Sequence, residues 1–142
     1  METVKKILIP VDGSDSSAIA LKKGLSLAKL VSAEVTVMHV VEKPTMSPLS
    51  VVSTPYENLR EMLDVSVINL LNHAKKECKN QTISHKEIVV EGLPAQFIID
   101  ASKDYDMIVI TPLGRSAVAD LLMGSVAEKV IRHAKCSVVV VR

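Results

Sequence analysis

Two short stretches carry residue types at spacings that can do chemistry. The first is Pro10-Val11-Asp12-Gly13-Ser14-Asp15-Ser16, where a β-branched run ends on a carboxylate. In an open α/β sheet, ligands bind beyond the carboxyl ends of the strands, so a carboxylate directly past a strand faces the binding crevice. Asp12 there suits contact with a ligand hydroxyl or a metal, while Ser14 and Asp15 suit capping of the next helix. The second stretch is Thr111-Pro112-Leu113-Gly114-Arg115, followed after nine residues from Gly114 by Gly124 and Ser125. Gly124 and Ser125 open a helical pattern, and the unpaired first N–H groups of a helix, with its dipole, favour an anion such as a phosphate. Gly114 lets the backbone approach closely without a side chain in the way. Arg115 can add charge-assisted contacts to a phosphate or simply stand in solvent. Ser125 with Glu128 also reads as a Ser-x-x-Glu capping box, which satisfies the same groups with no ligand.

Other chemistries lack their residues. His39, His73, His85 and His133 fall on separate elements with no HExxH spacing, and Cys78 and Cys136 form no CxxC pair; a metal site is not expected. His39 lies in a strand and reads as a satisfied core histidine. No GxSxG elbow and no GxxxxGK[ST] loop is present, so Ser-His-Asp hydrolysis is excluded and phosphoryl transfer lacks its lysine. Cys136 reads as a small buried hydrophobe, and the six scattered methionines read as filler.

The elements that must position these residues follow from apolar periodicity. Val4–Val11, Glu34–Val41, Met107–Thr111 and Ser137–Val141 are short, near-continuous apolar runs, the mark of parallel strands covered on both faces. Ser84–Glu91 is more polar and reads as an edge strand. Ala18, Leu21, Leu25 and Ala28 define one helical stripe, and Leu59, Leu63, Val67, Leu70 and Ala74 a longer helix running toward Cys78. Phe97, Ile98 and Ala101 mark a third helix, and Val126, Val130 and Ile131 a fourth. Alternation of this kind predicts a doubly wound α/β sheet with right-handed crossovers. Glu42–Pro55, with three prolines and no periodicity, reads as a mobile loop.

The chain has 142 residues, enough for one domain with one sizeable core. Seventeen basic against sixteen acidic side chains leave a net charge of +1, which argues against nucleic acid and anionic membranes as partners. Phe97, Tyr56 and Tyr105 are the only Phe, Tyr or Trp residues, too few for a surface that stacks bases. No apolar run approaches the roughly twenty residues of a spanning helix. The start carries no signal-type region, and the two cysteines suit a reducing compartment, so a cytoplasmic location is the expectation.

The opening KKILIPVDGSDSS, the second strand ending MHVV, and GRSAVADLLMGSVAEKVIRHAKCSVVVV together resemble a universal stress protein of the UspA type over nearly the whole chain. Nucleotide-binding members of that family carry G-x2-G-x9-G-[S/T], and Gly114, Gly124 and Ser125 match its last three elements. The resemblance implies residues 1–142 as a single domain of that type. Its fold would be a doubly wound five-stranded parallel sheet of Rossmann-like, adenine-nucleotide α-hydrolase-like architecture with strand order 3-2-1-4-5. It implies ATP or another adenine nucleotide as ligand, with Mg2+ as a companion ion. Pro10, Val11 and Asp12 would line the adenosine end, with Asp12 near the ribose, and Val40 would meet the adenine edge through its backbone. Gly114, Gly124, Ser125 and Val126 would hold the phosphates, with Arg115 beside them.

One departure stands out. Thr111 replaces the motif's first Gly and Pro112 follows it, adding a branched Cβ and removing a backbone donor. Some family members lack the complete motif and bind no nucleotide. The resemblance thus implies a non-catalytic ATP-binding regulator of the stress response, or alternatively a dimeric family member that acts through protein–protein interaction without nucleotide. In the first case ATP is expected to order Gly114–Met123 and Glu42–Pro55. The resemblance also implies a homodimer paired through the C-terminal strand Ser137 to Val141, whose valines would otherwise leave an exposed edge.

Overall fold

A computed structural model describes residues 3–42, 56–114 and 123–142. In chain order the elements are β1 (Lys6–Pro10), α1 (Asp15–Val31), β2 (Glu34–Val41), α2 (Tyr56–Glu61), α3 (Val65–Gln81) and β3 (His85–Glu91). They continue with α4 (Pro94–Ala101), a 3-10 turn (Ser102–Asp104), β4 (Met107–Ile110), α5 (Ser125–His133) and β5 (Ser137–Val140). The five strands form one sheet in the order β3-β2-β1-β4-β5, and every pairing is parallel. This is the doubly wound topology and strand order expected. The more polar β3 lies at one edge, as its composition predicts. The sequence readings of Glu42–Pro55 and Gly114–Met123 as loops that ligand would order fall almost wholly outside the described residues.

Strand periodicity explains why the central runs are apolar throughout. Ile7 and Ile9 of β1 with Val35 and Val37 of β2 point to one face, where they meet Leu21 and Leu25 of α1 and Leu71 of α3. Leu8, Met38, Val40, Ile108 and Ile110 point to the other, against Ile98 of α4 and Val130 of α5. Successive side chains alternate faces, so a sheet covered on both sides must be apolar at every position.

The structure revises the sequence reading at several points within these elements. The long second helix is two helices, because Asp64 is extended (φ −66°, ψ 151°). Its carbonyl starts α3 afresh by accepting from the N–H groups of Val67 and Ile68, both at 3.0 Å. The stripe still packs as one, with Leu59, Leu63, Val67, Leu70 and Ala74 all buried. In α1, Ala18 is exposed and the buried face is Ser17, Ala20, Leu21, Gly24, Leu25 and Ala28. In α5, Ile131 is exposed while Ala127 and Val130 are buried. Cys136 is only half-buried.

The connections entering the sheet are tight. Helix α1 ends on Ser32 in the left-handed region (φ 59°) and α3 on Thr82 (φ 58°). The next N–H in each case closes the helix, Ala33 onto the Ala28 carbonyl at 2.9 Å and Ile83 onto that of Cys78 at 2.8 Å. Both are helix stops of the kind that usually carry Gly.

Candidate functional site

At the carboxyl ends of β1, β2 and β4 the sheet opens into a cavity of about 410 Å³, within the roughly 300–1,000 Å³ typical of small-molecule sites. Strand order reverses beside β1, which is where such folds place their ligands. The structure brings eight of the nine sequence-predicted site residues to its walls: Pro10, Val11, Asp12, Val40, Gly114, Gly124, Ser125 and Val126. Arg115 lies outside the described residues.

Asp12 is held by the start of α1. Its Oδ1 accepts from the Ser14 N–H at 2.9 Å and the Ser14 hydroxyl at 2.5 Å. Ser14 in turn caps α1, its Oγ accepting from the Ser17 N–H at 3.1 Å, so the capping role read for Ser14 is realised. The turn depends on Gly13, whose φ of 84° is strained for any residue with a Cβ; a Cβ there would stand 2.8 Å from Ser66 Oγ and Val67 Cγ2. The other carboxylate oxygen faces the second motif, and a Cβ on Gly114 would stand 2.8 Å from Asp12 Oδ2. Absence of a side chain at position 114 is what lets the two strand ends approach.

The second motif is pinned at its neck. The Gly124 N–H donates to the Pro112 carbonyl at 2.5 Å, and the Thr111 hydroxyl donates to the Leu113 carbonyl at 2.9 Å. The capping box predicted from Ser125 and Glu128 does not form. Gly124, extended at φ −75° and ψ 160°, is the N-cap and has no side chain to donate or accept. Its carbonyl receives the first helical bond from Glu128 at 3.0 Å, while the Glu128 carboxylate turns along the helix to Arg132 at 3.1 Å. With the helix starting one residue earlier than the box requires, Ser125 becomes the exposed first residue of α5. The N-terminus of α5 therefore points at the cavity without a side-chain cap, an arrangement that favours an anion.

The β2 wall is set by ladder geometry. Residues of a strand alternate the direction of their N–H and C=O groups. Val35 donates to Ser84, and Val41 accepts from Gly92, on the β3 side; Met38 accepts from the Val11 N–H at 2.8 Å on the β1 side. Val40, two residues beyond Met38, thus directs its N–H and C=O to the β1 side, where β1 has already ended at Pro10. These groups look into the cavity.

Sequence reasoning missed several lining residues. The strand pattern reads His39 as a core residue, yet it is half-buried, lines the cavity and has its Nδ1 2.8 Å from the Val11 carbonyl. Met62, Leu63 and Asp64 also line it, through a helix break that periodicity could not reveal, although Asp64 before Val65 is a cap-type residue. Among the described lining, Asp12, Glu42 and Asp64 are the charged side chains, and no Phe or Tyr is present. Neither cysteine lines the cavity. Burial pushes both thiols above their ordinary range, and Asp106 adds to the effect at Cys136. No group of three or more His, Cys, Asp or Glu gathers among the described residues.

Fold and site together define a doubly wound α/β protein with a cavity at the strand reversal. Residues 3–142 match the universal stress protein family, and the chain belongs to that family. Universal stress protein MJ0531 of Methanocaldococcus jannaschii is 35% identical over 140 residues, covering 97% of this chain and 82% of the relative. The solved structure of protein MJ0577 of the same organism superposes with a TM-score of 0.80 at 31% identity, covering 99% of this chain and 96% of the other. A universal stress protein of Archaeoglobus fulgidus in complex with dAMP shares the fold at a TM-score of 0.65 and 23% identity, with both chains covered fully. Other solved proteins of this fold are described in complex with cAMP and with AMP.

Proposed function

We propose that the cavity binds an adenine nucleotide, with ATP as the fullest occupant, and that the chain acts as a non-catalytic, ligand-responsive regulator of the stress-protein type. The observation that carries this reading is the convergence of three features on one cavity: the Asp12 carboxylate, the cavity-facing backbone of Val40, and the uncapped N-terminus of α5. In this reading the Val40 N–H and C=O meet the N1 and N6 edge of adenine, and Pro10 and Val11 pack the adenosine. Asp12 accepts from a ribose hydroxyl, and the N–H groups of Gly114, Ser125 and Val126, with the Ser125 hydroxyl, hold phosphate. The dAMP, AMP and cAMP complexes of proteins sharing the fold support this choice of ligand.

The donor set bears on Mg2+. Asp12 offers one carboxylate, and its Oδ1 already accepts two hydrogen bonds from Ser14. Mg2+ takes six oxygens and is commonly held by phosphates, water and one or two carboxylates. Such an ion fits here as a companion of a triphosphate, held by phosphate oxygens and water, because Asp12 is already engaged by Ser14 and, in this reading, by the ribose. It would screen the phosphate charge, while Asp12 and the α5 amides position the nucleotide. Occupancy would shift the population of surface conformations that a partner reads.

Thermal denaturation with ATP, ADP, AMP and cyclic AMP tests the reading. A rise in Tm with at least one of them is expected, since a ligand that binds only the native state stabilises it by mass action. No shift at millimolar ligand would overturn it. A homodimer through β5 belongs to the same proposal, because β5 is an edge strand whose Val138–Val140 are only half-buried and edges of this kind invite pairing. Light scattering at micromolar concentration should return twice the mass of one chain, and a monomer would refute the pairing.

A further inference from the structure

The parallel ladder between β1 and β2 is regular up to one missing rung. Lys6 to Pro10 pair in register with Glu34 to Met38. The ladder opens with the Glu34 N–H donating to Lys5 and extends to the Val11 N–H donating to Met38, both at 2.8 Å. The next rung in this alternation is the Val40 N–H onto the Val11 carbonyl. That acceptor instead lies 2.8 Å from His39 Nδ1. A carbonyl only accepts, so the imidazole carries its proton on Nδ1 and donates.

We infer that His39 is a positioning residue. By holding the Val11 carbonyl it keeps that acceptor from the Val40 N–H, and so maintains Val40 as a cavity-facing donor. The inference rests on the adenine reading for what the donor meets. Val40 then presents an N–H and a C=O side by side, the complement of the adenine edge with its N1 acceptor and N6 amine donor. Hypoxanthine reverses both groups, offering an O6 acceptor and an N1–H donor. His39 thereby sets nucleobase selectivity without touching the base. Without the imidazole, the Val11 carbonyl is left buried and unsatisfied unless the Val40 N–H swings onto it.

Three measurements test this. In the ligand-free natural chain, ring-nitrogen chemical shifts should show the Nδ1–H tautomer of His39; the Nε2–H tautomer would overturn the inference, and this readout needs no variant. Amide hydrogen exchange at Val40 should slow about tenfold in His39→Ala as the rung closes, and return to the natural rate in His39→Asn, whose Nδ2–H occupies the place of Nδ1–H. Equal exchange in all three chains would overturn it. By titration calorimetry, the natural preference for AMP over IMP should fall about tenfold in His39→Ala and recover in His39→Asn. A variant that only melts earlier, with its AMP-to-IMP ratio unchanged, makes His39 structural and sinks the idea. If the natural chain binds neither AMP nor IMP at millimolar concentration, the nucleotide reading fails, and the tautomer and exchange measurements still decide the role of His39.

Discussion

The two ends of this sheet follow opposite rules. At the amino ends of the strands every connection is short and tied. Ser32 and Thr82 stop their helices with one and two residues left before the next strand, and Asp106 fastens β4 to β1. Its carboxylate accepts from the N–H groups of Lys5 and Lys6, each at 2.9 Å, and its own N–H donates to Lys6 at 2.9 Å. At the carboxyl ends the ladder stops one rung early, α5 starts without a side-chain cap, and residues 43–55 and 115–122 fall in the connections. One end uses its polar groups on itself, and the other directs them at a cavity. A parallel sheet makes this division natural, since all its strand ends of one kind lie on one side.

Substitutions at the two ends should therefore separate binding from stability. The largest effect is expected for Gly114→Val, whose Cβ would crowd Asp12 Oδ2. Nucleotide affinity measured by calorimetry should fall about a hundredfold, since displacing the loop removes several backbone contacts together. The melting temperature should barely change, because position 114 is exposed. Unchanged affinity would remove the second motif from the site. Asp12→Asn comes next. It keeps the acceptor that holds Ser14 but discharges the carboxylate, and affinity for AMP should drop about tenfold.

The closed end should show the reverse pattern. Thr82→Gly relieves a β-branched residue held at φ 58°. It should raise stability in urea titrations by about 1 kcal/mol while leaving nucleotide affinity alone. Asp106→Asn should give the smallest effect, visible in its pH dependence. The backbone N–H groups of Lys5 and Lys6 hold the Asp106 carboxyl below its ordinary value, opposed weakly by burial. Because the folded pKa is the lower one, the unfolded chain binds more protons between the two values. The carboxylate's contribution is thus complete above the ordinary Asp pKa and lost as pH falls through the folded one. Melting curves of the Asn variant and the natural chain should differ at neutral pH and converge in acid. A gap that widens in acid would show that Asp106 is not the tie described.

The departure at Thr111-Pro112 is also sharpened by the structure. Pro112 lacks an N–H, but its carbonyl accepts from Gly124 and the Thr111 hydroxyl bonds to Leu113. The neck of the motif is held by this chain's own residues, so the substitution replaces one way of shaping the loop with another. The Gly-for-Thr111 exchange is correspondingly informative. A variant that gains binding would show that the natural neck obstructs the site.

Much of this was legible in the residues. The bounds of strand β2, Glu34 and Val41, are legible because a run rich in β-branched residues (Val35, Thr36, Val37, Val40, Val41) is bracketed by Ser32 and Glu42. The motif residues Asp12, Gly114 and Gly124 were legible because each stands directly past a strand or before a helix. Other features were not. The break at Asp64 leaves the apolar stripe intact, so periodicity reads straight through it. Ser125 and Glu128 satisfy the capping-box pattern, yet the Pro112 carbonyl draws the Gly124 N–H and starts the helix a residue early. His39 reads as a core residue because a strand pattern says which face a side chain takes and nothing about which backbone carbonyl lies there.

By itself the sequence determined the alternation of strands and helices, the two-faced apolar core and the family, because those depend on local periodicity and on motifs contiguous in the chain. Only the tertiary structure decided that Asp12 and Gly114 stand against each other and that the α5 N-terminus is uncapped. It alone placed an imidazole on the acceptor of the last rung. Each of those depends on groups far apart in sequence, and which of several donors claims an acceptor is settled by distance after the chain has folded.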